Sequence, residues 1–110
     1  MPGGYEITPT SNGQFRFVLN AQNGEPILHS ETYVQKASAK SGIESVQVNS
    51  SRYERYERQT ASDGRSYFTL KAANGEVVGT SEMYSSESSR DDGIDSVKAN
   101  GPSRDVEDKS

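Results

Sequence analysis

Phe17-Val18-Leu19-Asn20-Ala21-Gln22-Asn23-Gly24-Glu25 returns fifty-one positions later as Phe68-Thr69-Leu70-Lys71-Ala72-Ala73-Asn74-Gly75-Glu76. In each copy a short strand runs into a tight turn. Phe15, Phe17 and Leu19 alternate with Arg16, Val18 and Asn20, and Phe68, Leu70 and Ala72 alternate with Tyr67, Thr69 and Lys71. That is the period of a strand with one buried face. The same offset holds outward in both directions. Tyr5-Glu6 falls on Tyr56-Glu57, Gly13 on Gly64, and Ser30-Glu31-x-Tyr33 on Ser81-Glu82-x-Tyr84. Gly42-Ile43-x-Ser45-Val46 and Asn49 fall on Gly93-Ile94-x-Ser96-Val97 and Asn100. Residues 5–50 align with 56–101 without a gap, and nineteen of the 46 paired positions are identical. Repetition in register over such a length marks the duplication of one unit.

Each unit reads as a hairpin ladder followed by a helix. Asn12-Gly13, Asn23-Gly24, Asp63-Gly64 and Asn74-Gly75 predict two-residue type I′ turns, with positive φ at both central residues. Segments beginning at Tyr5 and Pro26, with counterparts at Tyr56 and Val77, flank the central strand. Pro26 has no N–H to give to a ladder, so it starts a strand or lies on an edge. Farther on the period lengthens. Ala39, Ile43 and Val46, like Arg90, Ile94 and Val97, are spaced four then three, which is one stripe of a helix. Asn49 and Asn100-Gly101 are expected to end these helices in the left-handed conformation. Gly42 and Gly93, each costing about 1 kcal/mol relative to Ala in a helix, predict close approach of helix to sheet.

One such unit buries too little to stand alone, so the two are expected to share a core. The boundaries read as a first repeat over 1–50, a second over 51–102 and a polar C-terminal tail over 103–110, loose in its last residues. The connector from Ser50 to Tyr56 is too short, and too rich in Tyr and Arg, to be a flexible linker.

The 110 residues amount to one small domain, 30% hydrophobic, with a formal charge of −4 and a mean hydropathy of −0.88. The absence of cysteine excludes disulfide scaffolds, thiolate zinc sites, iron–sulfur clusters and thiol nucleophiles. No apolar run approaches the roughly 18–20 residues that span a bilayer, and Met1-Pro2-Gly3-Gly4 carries no signal-peptide pattern. The expectation is a cytoplasmic protein with no membrane partner.

The run Asn12-Gly13-Gln14-Phe15-Arg16-Phe17-Val18-Leu19, the Ala-x-Asn-Gly-Glu turns, the paired Ser-Glu-x-Tyr and the paired Gly-Ile-x-Ser-Val-x-x-Asn resemble the YegP-like family of small bacterial proteins of uncharacterised function. The match runs over about residues 5 to 108 with both repeats in order. The resemblance implies an α+β fold: two tandem β(3)-α-β repeats forming one pseudo-symmetric domain, with a shared antiparallel sheet, two helices and exchange of the strand after each helix. Under it Tyr53–Thr60 is the strand after the first helix, and residues around Val106 follow the second. It further implies a fused pseudo-dimer, hence a monomer. It carries no catalytic or binding residues to transfer.

No catalytic, cofactor-binding or metal residues are assigned. His29 is the only histidine and Thr80 is its counterpart, so the copies share no imidazole chemistry. Asp91, Asp92 and Asp95 cluster near the start of the second helix, where acids offset the helix dipole. Lys40, Ser41 and Glu44 at the equivalent positions rule out a shared metal site. No phosphate-binding glycine motif occurs. Two segments remain as a candidate interaction surface. One is the repeated Ser-Glu-x-Tyr, with Glu31, Tyr33, Glu82 and Tyr84, read either as a binding patch or as turn structure. The other is the strand carrying Arg52, Arg55 and Arg58 among tyrosines.

The leading expectation is a non-enzymatic binding or accessory module of unknown partner, a protein or peptide, acting through sheet edges or an exposed face. One alternative is a small-molecule-binding protein or modest enzyme with a pocket between the repeats. The other is weak nucleic-acid binding through the Arg52–Arg58 strand, which the acidic balance disfavours.

Overall fold

The structure, a computed structural model, describes residues 3–110. Seven strands form one sheet: β1 (Gly4–Pro9), β2 (Phe15–Asn20), β3 (Pro26–His29), β4 (Tyr56–Thr60), β5 (Ser66–Lys71), β6 (Val77–Thr80) and β7 (Val106–Asp108). Helix α1 (Lys36–Asn49) follows β3, and α2 (Glu87–Asn100) follows β6. The spatial order is β4-β5-β6-β3-β2-β1-β7. Two three-stranded ladders thus meet at β3 and β6, where His29 pairs with Thr80.

The strand after each helix crosses to the other half. β4 leaves α1 and pairs antiparallel with β5, while β7 leaves α2 and pairs parallel with β1, Tyr5 opposite Val106. The expected antiparallel sheet is therefore mixed, because the chain returning from α2 reaches the β1 edge running in the direction of β1. Residues 103–110, read from sequence as a polar tail, carry this seventh strand. It is fixed by Tyr5 N–H to the Asp105 carbonyl at 2.8 Å, Lys109 N–H to the Ile7 carbonyl at 2.8 Å, and a Lys36–Asp108 ion pair at 3.0 Å.

One face of the sheet is covered by both helices. Tyr5, Ile7, Phe17, Leu19 and Leu28 from one ladder and Tyr56, Phe68 and Leu70 from the other pack with Ile43, Val46, Ile94 and Val97 in a single core. Each helix reaches across: α1 touches β2 of its own half and β5 and β6 of the other, and α2 touches β5 and, across the middle, β2 and β3. Joint burial is what makes two marginal units into one domain.

Two local readings are corrected. The turns are not type I′, since among the described residues no non-glycine residue has positive φ and only Gly13, Gly24, Gly64 and Gly75 do, at 83–87°. Ala21 N–H bonds to the Glu25 carbonyl and Gly24 N–H to the Ala21 carbonyl. The loop is a type I turn followed by one left-handed glycine. The Asn23 carboxamide accepts the Glu25 N–H at 3.0 Å, which holds Asn23 without a strained backbone. The helices likewise end without a left-handed cap, as Ser50 and Gly101 have φ −63° and −58°. Asn49 and Asn100 instead donate back to the Ser45 and Ser96 carbonyls, each at 2.8 Å.

Equivalent residues that touch each other mark a pseudo-twofold axis. Leu28 lies against its counterpart Gly79, and Ser50 against its counterpart Gly101. Around that axis each repeat closes the other's helix. The Tyr5 hydroxyl donates to the Gly101 carbonyl at the end of α2, and the Tyr56 hydroxyl to the Ser50 carbonyl at the end of α1, both at 2.6 Å.

Candidate functional site

Both Ser-Glu-x-Tyr segments bridge back to the central strand of their own ladder. The Ser30 hydroxyl accepts the Phe17 N–H at 2.9 Å and donates to the Glu31 carbonyl, and Ser81 does the same for Phe68 and Glu82. Tyr33 exchanges backbone hydrogen bonds with Phe15, and Tyr84 with Ser66. The serines and the tyrosine backbones are therefore structural. The tyrosine rings reach the helices: a Cβ on Gly42 would stand 2.7 Å from the Tyr33 hydroxyl, and one on Gly93 would run into the Tyr84 ring. The close approach foreseen at these glycines is thus made by a tyrosine. Burial, with Glu31 or Glu82 nearby, pushes both phenols above their ordinary range.

What this leaves exposed is a pair of clefts, each built from both repeats. In the first, about 530 Å³, Glu25, Pro26 and Ile27 of the first repeat face Glu82, Tyr84 and the α2 residue Asp92. In the second, about 410 Å³, Glu31 and Tyr33 face Glu76, Val77 and Val78 of the second repeat. The five residues of the second cleft are the counterparts of five in the first. Each cleft has an apolar floor, one tyrosine wall and at least two carboxylates, and no lysine or arginine lines either one among the described residues. Sequence reading selected Glu31, Tyr33, Glu82 and Tyr84 but missed Glu25 and Glu76. Those two were identical in the copies and were absorbed into the turn motif.

His29 joins the halves from the end of β3, beside the first cleft. Its Nδ1 accepts from the Arg16 guanidinium at 3.2 Å, and its Nε2 pairs with the Glu82 carboxylate. Arginine only donates, so Nδ1 is the accepting nitrogen and the ring proton sits on Nε2, where it donates to Glu82. Both nitrogens are engaged.

The Arg52–Arg58 segment does not form one continuous strand. A single 3-10 turn, Tyr53–Arg55, precedes β4. Arg58 donates to Asp91 at 3.0 Å and lies over the Tyr53 ring, whose other close cation is Lys98 at 4.6 Å from the ring centre. Arg52 and Arg55 face a separate cleft against α1. The arginines are therefore divided between two environments, and Tyr53 is already occupied by cations of the chain. The turn takes up the first donor of the edge strand β4, as Tyr56 N–H bonds to the Tyr53 carbonyl. At the opposite edge β1 is covered by β7.

Asp91 is held below the usual carboxylate range, first by its hydrogen bond from Arg58 and then by Arg90. No group of three or more His, Cys, Asp or Glu residues able to hold a metal ion occurs among the described residues, and no helix there is long and apolar enough to cross a membrane.

The family model described as a domain of unknown function, DUF1508, matches residues 10–57 and again 61–108, and the chain belongs to this family. Its unit is phased to begin before the central strand and end in the strand after the helix, β4 in one copy and β7 in the other. The chain is 54% identical to the UPF0339 protein YegP of Escherichia coli (strain K12) over 110 residues, 100% of both chains. It is 58% identical to a UPF0339 protein of Acinetobacter baylyi over 98% of this chain and 97% of that one. The solution NMR structure of the E. coli protein, described as of unknown function, superposes with a TM-score of 0.94 at 55% identity, covering 99% of this chain and 94% of that chain. A second, from Shewanella oneidensis, gives 0.92 at 52% identity, over 98% and 92%. The YegP-like resemblance is thus established, and with it two repeats in an α+β fold. These relatives are uncharacterised, and nothing in their descriptions points to catalysis.

Proposed function

We propose that this member of the DUF1508 family is a monomeric, non-enzymatic binding module of the cytoplasm, whose two inter-repeat clefts each accept a lysine or arginine side chain of a protein or peptide partner. The observation that carries the reading is the duplication of one chemical pattern: Glu25, Ile27, Glu82 and Tyr84 in one cleft, Glu76, Val78, Glu31 and Tyr33 in the other. A long basic side chain lays its methylene stem on an apolar floor and sets its charged head among carboxylates and an aromatic face. A net charge of −4 favours encounter with basic partners.

Supporting the non-enzymatic part, the one imidazole has both nitrogens engaged within the protein, by Arg16 and Glu82. Supporting the monomer, the two outer strands are short, β4 with five residues and β7 with three, and they carry the charged Glu57, Arg58, Glu107 and Asp108. Short, charged edge strands also favour the clefts over strand addition as the working surface. A chain without cysteine gains no stapling from an oxidising compartment, which accords with the cytoplasm.

The test is fluorescence anisotropy with labelled peptides bearing two lysines or arginines at varied spacing, against acidic counterparts. The expected result is saturable, salt-sensitive binding of basic peptides, weakened several-fold by Glu31→Gln or Glu82→Gln. Equal binding of acidic and basic peptides, or binding unchanged when all four glutamates become glutamine, overturns the reading.

A further inference from the structure

Arg52 and Arg55, at either end of one turn, line a cleft of about 760 Å³ between α1 and the β5–β6 hairpin. Its other walls include Ser41, Glu44 and Asn74, with Ala72 and Ala73 presenting only short side chains. Among the described residues neither arginine takes part in an ion pair, whereas Arg58, Arg65 and Arg90 are each held by an aspartate. The Arg55 Nε–H is moreover buried with no acceptor in the protein. The other half diverges here. Asp92 and Asp95 stand where α1 has Ser41 and Glu44, and Gly4 is the counterpart of Arg55. Two arginines against one glutamate leave this cleft positive in a protein that is negative overall.

We infer that this cleft binds an anionic group, a phosphate or a carboxylate, between the guanidiniums of Arg52 and Arg55. The outer guanidinium nitrogens of the two arginines meet the anion in the planar geometry guanidinium offers to oxyanions. The Ser41 hydroxyl and the Asn74 carboxamide are among the neutral polar groups on the same walls. The site is separate from the acidic clefts and opposite to them in charge, so it stands or falls independently of the proposal for basic peptides.

The test is a titration of the full-length, isotope-labelled protein with sodium phosphate, sodium acetate and sodium chloride at matched ionic strength, reading backbone amides and arginine Nε–Hε signals. The expected result is a saturating shift of the Arg55 Nε–Hε signal and of amides around Ser41, Arg52 and Asn74. Response to phosphate assigns a phosphorylated ligand, and response to acetate a carboxylate. Arg55→Gln lowers the affinity at least about tenfold and Arg52→Gln by a smaller factor, while Arg65→Gln leaves it unchanged. If Arg55→Gln does not fold, Arg55→Lys and Arg52→Gln give the same ordering. Equal shifts with chloride, or full affinity in the Arg55 and Arg52 variants, overturn the inference.

Discussion

Leu28 occupies the space that its own counterpart, Gly79, leaves open on the pseudo-twofold axis: a Cβ on Gly79 would stand 2.6 Å from Leu28 Cδ2. Two leucines cannot share that place. Fusion of the units into one chain allows one copy to keep the side chain and the other to lose it, which two identical subunits cannot do. Gly79→Ala is therefore expected to destabilise by roughly 1–3 kcal/mol through overpacking. Leu28→Ala should cost about 2–5 kcal/mol through the cavity it leaves. Because the two sites share one space, the double variant should lose less than the sum, read as denaturant midpoints in a double-mutant cycle.

The crossed hydrogen bonds of Tyr5 to Gly101 and Tyr56 to Ser50 tie each ladder to the other repeat's helix. Tyr5→Phe and Tyr56→Phe should each cost about 1 kcal/mol. Burial raises both phenols well above their ordinary value, with Tyr56 adding to the effect on Tyr5 and Asp95 to that on Tyr56. A raised folded value stabilises the protein below the unfolded value, about pH 10, and that stability is lost as pH rises above it. The urea midpoint should fall above about pH 10, and fall less steeply in either phenylalanine variant.

The seventh strand is held by charge at its end. Hydrogen bonds from Ser110, followed by the one from Lys36, hold Asp108 far below the usual carboxylate range. A lowered value stabilises above the unfolded value, about pH 4, and that contribution disappears as pH falls through the folded one. The Lys109 amide, bonded to the Ile7 carbonyl, should lose exchange protection on acidification before the core amides do. Lys36→Met should produce part of that loss at neutral pH. Unaltered protection in that variant would refute the electrostatic account of β7.

Gly93→Ala separates the fold from the cleft. Alanine gains about 1 kcal/mol of helix propensity, and the collision with the Tyr84 ring costs about 1–3 kcal/mol, so net stability should change by less than about 2 kcal/mol. Tyr84 must move, however, and the first cleft with it. The expected outcome is a folded protein whose basic-peptide capacity falls while the second cleft, at Tyr33, is kept.

Much of the fold was legible because duplication placed every turn, strand and helix twice. The period of Phe17 and Leu19, and that of Ile43 and Val46, is local and survives in the sequence. The turn type was not legible: Asn-Gly suits both a type I′ turn and a type I turn with a following left-handed glycine, and only the hydrogen bonds decide. Local periodicity says neither which half receives a strand nor where a tyrosine hydroxyl reaches: the exchanged strands came from the family resemblance, while the parallel sense of β7 and the crossed caps of Tyr5 and Tyr56 were hidden. The site was half visible. Glu31 and Glu82 stood out, but their partners Glu76 and Glu25 lie in the opposite repeat, brought close only by the pairing of β3 with β6.

The central claim is that both inter-repeat clefts bind basic side chains. The most direct measurement is an amide chemical-shift map of the protein titrated with a peptide carrying two arginines. The account predicts saturating shifts in two symmetric groups, Glu25, Ile27, Glu82 and Tyr84 in one and Glu76, Val78, Glu31 and Tyr33 in the other. Shifts at neither cleft, or spread evenly over the acidic surface, would contradict it.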